Sequence, residues 1–143
     1  MVNNVTYRAH EVLDKVIKSK KKSDKINLLK KENNNWALKD ILRGTYDDAV
    51  QWLLPSGPVP YEPAPFDSHP SEWSQHNKKL AYFVKNGPGQ NMLTVKREKM
   101  FLDMLETVLP RDAELLVNMI NKKPIDGVTK RLTKEAFPDL ILK

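Results

Sequence analysis

The chain has 143 residues, a net charge of +6 and no cysteine. This length is enough to bury a core as one domain, and 40% hydrophobic residues is a globular composition, not a disordered one. The absence of cysteine excludes disulfides, thiolate nucleophiles and cysteine metal sites, and the positive charge favours an anionic partner. The first residues lack the apolar run of a signal peptide, and no segment is long enough to span a bilayer. We therefore expect a cytoplasmic protein with no membrane partner.

Helical periodicity dominates the first third of the chain. It predicts an amphipathic first helix over residues 6–18 and a short second helix capped by Ser23. Residues 33–35 are three asparagines, which should break the second helix and cap a third that stops at Gly44. Residues 45–48 predict a further turn or helix. The apolar residues at helical spacing in the first helix are Tyr7, His10, Leu13, Val16 and Ile17.

Residues 55–70 contain six of the ten prolines, which predicts an extended connector because proline excludes helical continuation. We expect Tyr61 and Phe66 to pack this connector against the rest of one domain, residues 1–143. A proline-rich ligand for another protein is the competing interpretation, but no arginine flanks either PxxP match.

The C-terminal half is also helical in pattern. Residues 71–84 predict a helix anchored by Trp73, and residues 86–89 predict a turn. Thr94 should cap the next helix, Pro110 should begin another, and Thr129 should open the last. No useful length of sequence alternates as a strand, so the prediction is an all-α fold of six to seven helices. The predicted inner stripe of the helix after Thr94 consists of Arg97, Phe101, Met104, Leu105 and Val108.

No group of residues indicates catalysis. The three histidines (His10, His69 and His76) are not at metal-ligand spacing, and the acids at 47–48 are typical of a helix N-terminus. Residues 123–127 suggest a nucleotidyltransferase lysine motif, but they hold one residue too many between lysine and aspartate. We therefore predict a non-enzymatic protein with no metal, cofactor or small-molecule substrate.

Two lysine-rich segments carry the main functional signal. Residues 15–31 hold eight lysines and one acid, and residues 122–134 surround a turn where Gly127 would let the backbone approach a phosphate. Solvated lysines that bind nothing are the competing interpretation, and Asp126 and Glu135 dilute the second segment. The predicted nucleic-acid contacts in these segments are Lys20, Lys21, Lys22, Lys25, Lys122, Lys123, Gly127, Thr129, Lys130, Arg131 and Lys134.

Two parts of the chain resemble a known domain. Residues 25–35, 37–43 and Tyr46 at one end, and residues 112–116, 126–128 and 134–141 at the other, resemble the N-terminal helical DNA-binding domain of T-even-type phage ATP-dependent DNA ligases. With residues 46–55, 60–63 and 82–85 included, most of the chain resembles small uncharacterised proteins of T4-like phages, including cyanophages, which would place it in the host cytoplasm. The ligase likeness implies an all-helical domain that grips duplex DNA without reading its sequence. It also adds Val128 to the DNA-facing turn formed with Gly127, Thr129, Lys130 and Arg131.

Two classes of function follow. The first is an accessory protein of replication, repair or recombination that binds duplex DNA through its backbone. The alternative is an interaction module that binds a host or phage protein, such as a polymerase, nuclease or clamp, through Tyr61, Phe66 and Trp73. A weaker alternative is a component of virion structure or assembly.

Overall fold

The computed structural model describes residues 8–142, apart from the side chain of Phe66. The predicted all-α class is confirmed, because these residues form no β-strand and only three isolated bridges. No helix in this part of the chain is both long and apolar enough to cross a membrane. The α-helices are α1 (Ala9–Lys18), α2 (Lys22–Lys30), α3 (Trp36–Tyr46), α4 (Thr94–Thr107), α5 (Pro110–Ile120) and α6 (Lys130–Ala136), with short 3₁₀ segments at Phe66–Ser68, Trp73–Gln75 and Asn77–Phe83.

One hydrophobic core joins the two ends of the chain. All six α-helices contribute buried side chains to it, and α2 packs against α6 while α3 packs against α5. The Phe83 and Phe101 rings meet edge to face, with centroids 5.4 Å apart. The predicted stripe from Arg97 to Val108 is buried throughout. Because α2 and α6 are neighbours, the two lysine-rich segments lie on the same side of the core.

Three predicted helix starts are confirmed by local geometry. The Asn35 side chain accepts a hydrogen bond from the Leu38 amide at 3.1 Å and so caps α3. Thr129 caps α6 in the same way, accepting from the Leu132 amide at 3.0 Å. Pro110 is the first residue of α5, where its missing N–H costs no helical hydrogen bond.

Other predicted boundaries were wrong. Lys21 is the N-cap of α2, which places Ser23 inside the helix, and Leu93 is the N-cap of α4, which makes Thr94 its first residue. Helix α3 continues past Gly44 to Tyr46, because Gly44 does not adopt the left-handed conformation by which glycine ends a helix. The predicted start of the first helix, with Tyr7, lies outside the described residues.

Apart from one 3₁₀ turn at Phe66–Ser68, residues 55–70 form no regular secondary structure, so the predicted absence of an α-helix in the connector is confirmed. The Asn121 side chain fixes its first part by accepting from the Gly57 amide at 2.6 Å and donating to the Gly57 carbonyl at 3.1 Å. The predicted helix over residues 71–84 is instead two 3₁₀ segments. In the second segment, Asn77–Phe83, the buried residues Leu80 and Phe83 are three positions apart, which is the repeat of a 3₁₀ helix.

Candidate nucleic-acid interface

Helices α2 and α6 border a surface groove of ≈ 320 Å³ that contains side chains from both lysine-rich segments. Lys25 and Gly127, which touch across it, are 102 positions apart in the chain. Tertiary packing therefore brings together two basic segments that the sequence shows only separately. The residues that line the groove are Lys20, Lys22, Lys25, Gly127, Thr129, Arg131 and Leu132.

A hydrogen bond within the groove joins the two lysine-rich segments. The Lys25 ammonium donates to the Gly127 carbonyl at 2.8 Å. An ammonium has three N–H donors, so this bond leaves donors for an anion. Gly127 has a φ of +85°, and a Cβ there would lie 3.4 Å from Ile17 Cγ1 and 3.6 Å from Lys25 Nζ. These are ordinary contact distances, so it is the left-handed conformation of the turn that favours glycine here.

The rim of the groove contains two exposed ion pairs to Glu135, one that joins α2 to α6 and one within α6. Lys22 Nζ lies 3.0 Å from a Glu135 carboxylate oxygen, and Arg131 Nε lies 3.6 Å from the same oxygen. The Arg131 side chain is 85% exposed. Exposed pairs of this kind contribute little in water, so a phosphate can replace Glu135 as the partner of these cations at small cost.

Tyr46 holds the turn that forms one end of the groove. Its hydroxyl donates to the Val128 carbonyl and accepts a hydrogen bond from the Ile125 amide at 2.8 Å. Burial is the largest effect on this hydroxyl and raises the pKa of Tyr46. The side chain of Val128 is fully buried, so the predicted DNA contact by Val128 is wrong for its side chain: Val128 anchors the turn.

Lys122 is directed toward the protein itself. Its ammonium donates to the Asp47 carbonyl at 2.8 Å, and burial is the main reason that its pKa is lowered. Lys122 therefore joins the end of α5 to the end of α3, and its predicted role as a DNA contact is not supported by this geometry. Lys130 Nζ lies 3.4 Å from an Asp48 carboxylate oxygen, beside the groove and not in its lining. Lys21, Lys123 and Lys134 are exposed outside that lining.

The alternative protein-binding surface is only partly available. Trp73 is 1% exposed and its indole N–H donates to the Ala37 carbonyl at 2.9 Å, so it is a core residue and not a contact for a partner. Tyr61 is partly buried against the core, and the side chain of Phe66 lies outside the described part of the structure. The burial of Trp73 agrees with its predicted role as an anchor of residues 71–84 and not with the alternative role as a partner contact.

Two of the three histidines contact charged side chains. His10 Nδ1 lies 2.9 Å from Asp112 Oδ1, and His76 Nδ1 lies 3.0 Å from Lys79 Nζ. Among residues 8–142 no group of three or more histidine and carboxylate side chains is arranged to hold a metal ion. The groove is thus the feature that brings predicted site residues together.

Comparison with known proteins gives one match. A sequence model described as a family of unknown function (DUF6433) matches residues 12–125, well over half of the chain. The match includes α2 to α5, and α6 follows it. No curated protein and no solved structure matches the chain.

Proposed function

We propose that this chain, which belongs to the family of unknown function DUF6433, binds duplex DNA without catalysing a reaction. The observation that supports this proposal is the groove between α2 and α6. It holds Lys20, Lys22, Lys25 and Arg131 around a glycine turn. Cations held along a groove neutralise successive phosphates, and the release of counterions from DNA provides the driving force for binding.

The chemistry of the groove favours contacts to the DNA backbone. Its polar side chains are three lysines, one arginine and the Thr129 hydroxyl, and Gly127 allows the left-handed turn between them. Such groups bind phosphates and fix the position of a protein on DNA, but they carry no base information by themselves. The proposed binding is therefore independent of sequence.

The resemblance to the ligase DNA-binding domain supports the same surface. Carried onto this chain, its DNA-facing turn corresponds to residues 127–131, of which Gly127, Thr129 and Arg131 line the groove. On this basis we place the protein beside phage DNA replication, repair or recombination, as an accessory that holds duplex DNA for another enzyme.

Fluorescence anisotropy with a labelled duplex, intact and nicked, tests the proposal across a salt series. We expect a dissociation constant on the order of micromolar at low salt, rising steeply as salt is added. In the variant Lys20→Glu/Arg131→Glu, two exposed cations of the groove are reversed, and binding should be lost while the circular dichroism spectrum is unchanged. Tighter binding to the nicked duplex would extend the likeness to ligases.

The matched control is Lys85→Glu/Lys96→Glu, which changes the net charge by the same amount at two exposed lysines outside the groove. This control should lose only the part of the affinity that depends on net charge. Equal losses in both double variants would contradict the groove as the binding site. No binding of the unaltered protein to either duplex at low salt would contradict DNA binding itself and would favour the alternative of a protein partner.

A further inference from the structure

A second concave site lies where the start of α1 meets α5. It has a volume of ≈ 360 Å³ and contains three carboxylates and one arginine. In a protein with a net charge of +6, this is a local concentration of negative charge. The residues that line it are Arg8, Ala9, Glu11, Ala37, Glu72, Trp73, Ser74 and Asp112.

The arginine of this pocket is already engaged. Arg8 Nε lies 2.9 Å from both oxygens of Glu72, and Arg8 Nη2 lies 2.6 Å from one of them. The main-chain N–H of Arg8 donates to Glu11 at 2.9 Å. These bonds fix two of the carboxylates at the rim and direct the guanidinium toward Glu72, so that the polar contact of Asp112 is with His10.

Asp112 is the buried acid of the pocket. It is 1% exposed, and its Oδ1 lies 2.9 Å from His10 Nδ1. Its Oδ2 is also buried but has no hydrogen-bond partner among the described residues. Burial is the largest effect on this carboxyl and raises the pKa of Asp112. A buried carboxylate oxygen without a donor is costly, so its presence calls for a donor from outside the chain.

We propose that this pocket binds an alkylammonium group, which donates a hydrogen bond to Asp112 Oδ2 while Glu72 and Glu11 face its charge. A cationic N–H donor forms a stronger hydrogen bond with a carboxylate than a neutral donor does, and it offsets the cost of burying the ionised acid. The site is separate from the α2–α6 groove and does not depend on DNA binding.

The hydrogen bonds that the three carboxylates already make favour an ammonium ligand over a guanidinium ligand. A guanidinium forms its best bond with a carboxylate through two parallel N–H donors to two oxygens. Each of the three carboxylates already has at least one oxygen bonded: Asp112 Oδ1 contacts His10, both oxygens of Glu72 accept from Arg8, and Glu11 accepts from the Arg8 main chain. A compact ammonium with three rotatable donors can donate to a single carboxylate oxygen that lacks a hydrogen-bond partner, such as Asp112 Oδ2.

Titration of the full chain with butane-1,4-diamine in the absence of DNA tests this site. Trp73 lines the pocket, so its indole N–H signal in a ¹H–¹⁵N NMR spectrum should shift on binding, while those of Trp36 and Trp52 should not. The variants Trp36→Phe and Trp52→Phe assign the three signals by elimination. Butane-1,4-diol, which has the same length and no charge, should give no shift, nor should sodium chloride at equal ionic strength.

Two variants connect the shift to the pocket. Asp112→Asn should weaken diamine binding about tenfold or more, the value of one charge-assisted hydrogen bond. Ser74→Lys places a second cation at an exposed position of the pocket lining and should have the same effect without altering the buried acid. Their controls are Glu114→Gln, an exposed acid on the same helix, and Gln75→Lys, an exposed neighbour outside the lining. Both controls should bind within about twofold of the unaltered protein, a difference below 0.5 kcal/mol.

Each outcome bears on the proposal. A Trp73 shift that also appears with the diol or with salt, or that persists in both Asp112→Asn and Ser74→Lys, would overturn it. Specific binding supports it, and comparison with N-acetyl-lysinamide then identifies the source. Tighter binding of the diamine indicates a free amine, and tighter binding of the lysine derivative indicates a lysine side chain. Because anisotropy with DNA is measured separately, failure of this site and failure of the DNA groove are distinguishable.

Discussion

Asp40 on α3 is a partly buried carboxylate, and its ionised form destabilises the folded protein. It accepts a hydrogen bond from the Asn77 side-chain amide at 2.6 Å. Burial is the largest effect on it and raises the pKa of Asp40, although Asn77 and Arg43 act in the opposite direction. A raised native pKa means that the folded protein holds this proton more tightly than the unfolded chain does. Ionisation of Asp40 therefore lowers the free energy of unfolding as the pH rises through the native pKa.

The variant Asp40→Asn should be more stable than the unaltered protein at neutral pH. Asparagine mimics the protonated acid and its oxygen can still accept from Asn77, so we expect a gain of less than about 1 kcal/mol. The gain should shrink as the pH falls and disappear below about pH 4, the ordinary pKa of aspartate, because the carboxyl is then protonated in both the folded and the unfolded chain. Urea unfolding at the two pH values measures it, with the exposed Asp67→Asn as control. A gain that is the same at both values would contradict the assigned cause.

Among the helices, α3 shows how a local rule is overridden by packing. The Gly44 site touches α5 and the segment after α3: a Cβ there would lie 2.6 Å from Met119 Sδ and 2.6 Å from Trp52 Cζ2. The Trp52 indole also donates to the Gly44 carbonyl at 3.0 Å. Glycine is therefore present to let two elements approach α3 closely, and not to end the helix.

Gly44→Ala tests this explanation, because helix propensity and packing predict opposite signs. Propensity alone would stabilise α3 by about 1 kcal/mol, whereas crowding of Met119 and Trp52 should cost about 1–3 kcal/mol. We expect a net loss in the free energy of unfolding, measured by urea denaturation. In a double-mutant cycle, Met119→Ala should remove part of that loss, so that the two changes are less than additive. A gain in stability from Gly44→Ala would show that the neighbours move aside freely.

The helix boundaries show what could be predicted from the sequence. Asn35, Pro110 and Thr129 were placed correctly because a cap or a first-turn proline acts on amides within three residues of itself. Gly44 was misjudged because its role depends on residues of other elements. The segment 71–84 was predicted as α-helix because apolar spacing alone does not separate α from 3₁₀ geometry.

For the whole molecule, the candidate site was likewise predictable from the sequence only where it depends on local properties. Both lysine-rich segments were visible in the sequence, because a run of like charges is a local property. Their meeting in one groove was not, since it depends on the packing of α2 against α6. The direction of Lys122 and the burial of Trp73 were likewise decided by distant contacts, with the Asp47 and Ala37 carbonyls. The fold thus separates a basic surface into lysines that hold the structure and lysines that face solvent.

Two alanine variants with the same charge change test this separation. Lys122→Ala removes a half-buried side chain and one of the two hydrogen bonds that the Asp47 carbonyl accepts, the other coming from the Val50 amide, so the free energy of unfolding should fall by about 1 kcal/mol. Lys20→Ala removes an exposed lysine of the groove and should leave stability within about 0.5 kcal/mol of the unaltered protein. For DNA binding, Lys20→Ala should have the larger effect of the two variants. Lys20→Ala should reduce the slope of log affinity against log salt by roughly 0.9, the value of one phosphate contact, and Lys122→Ala should leave the slope unchanged. Urea unfolding and anisotropy at four salt concentrations measure both properties, and an equal effect of the two variants on the slope would show that Lys122 also faces the DNA.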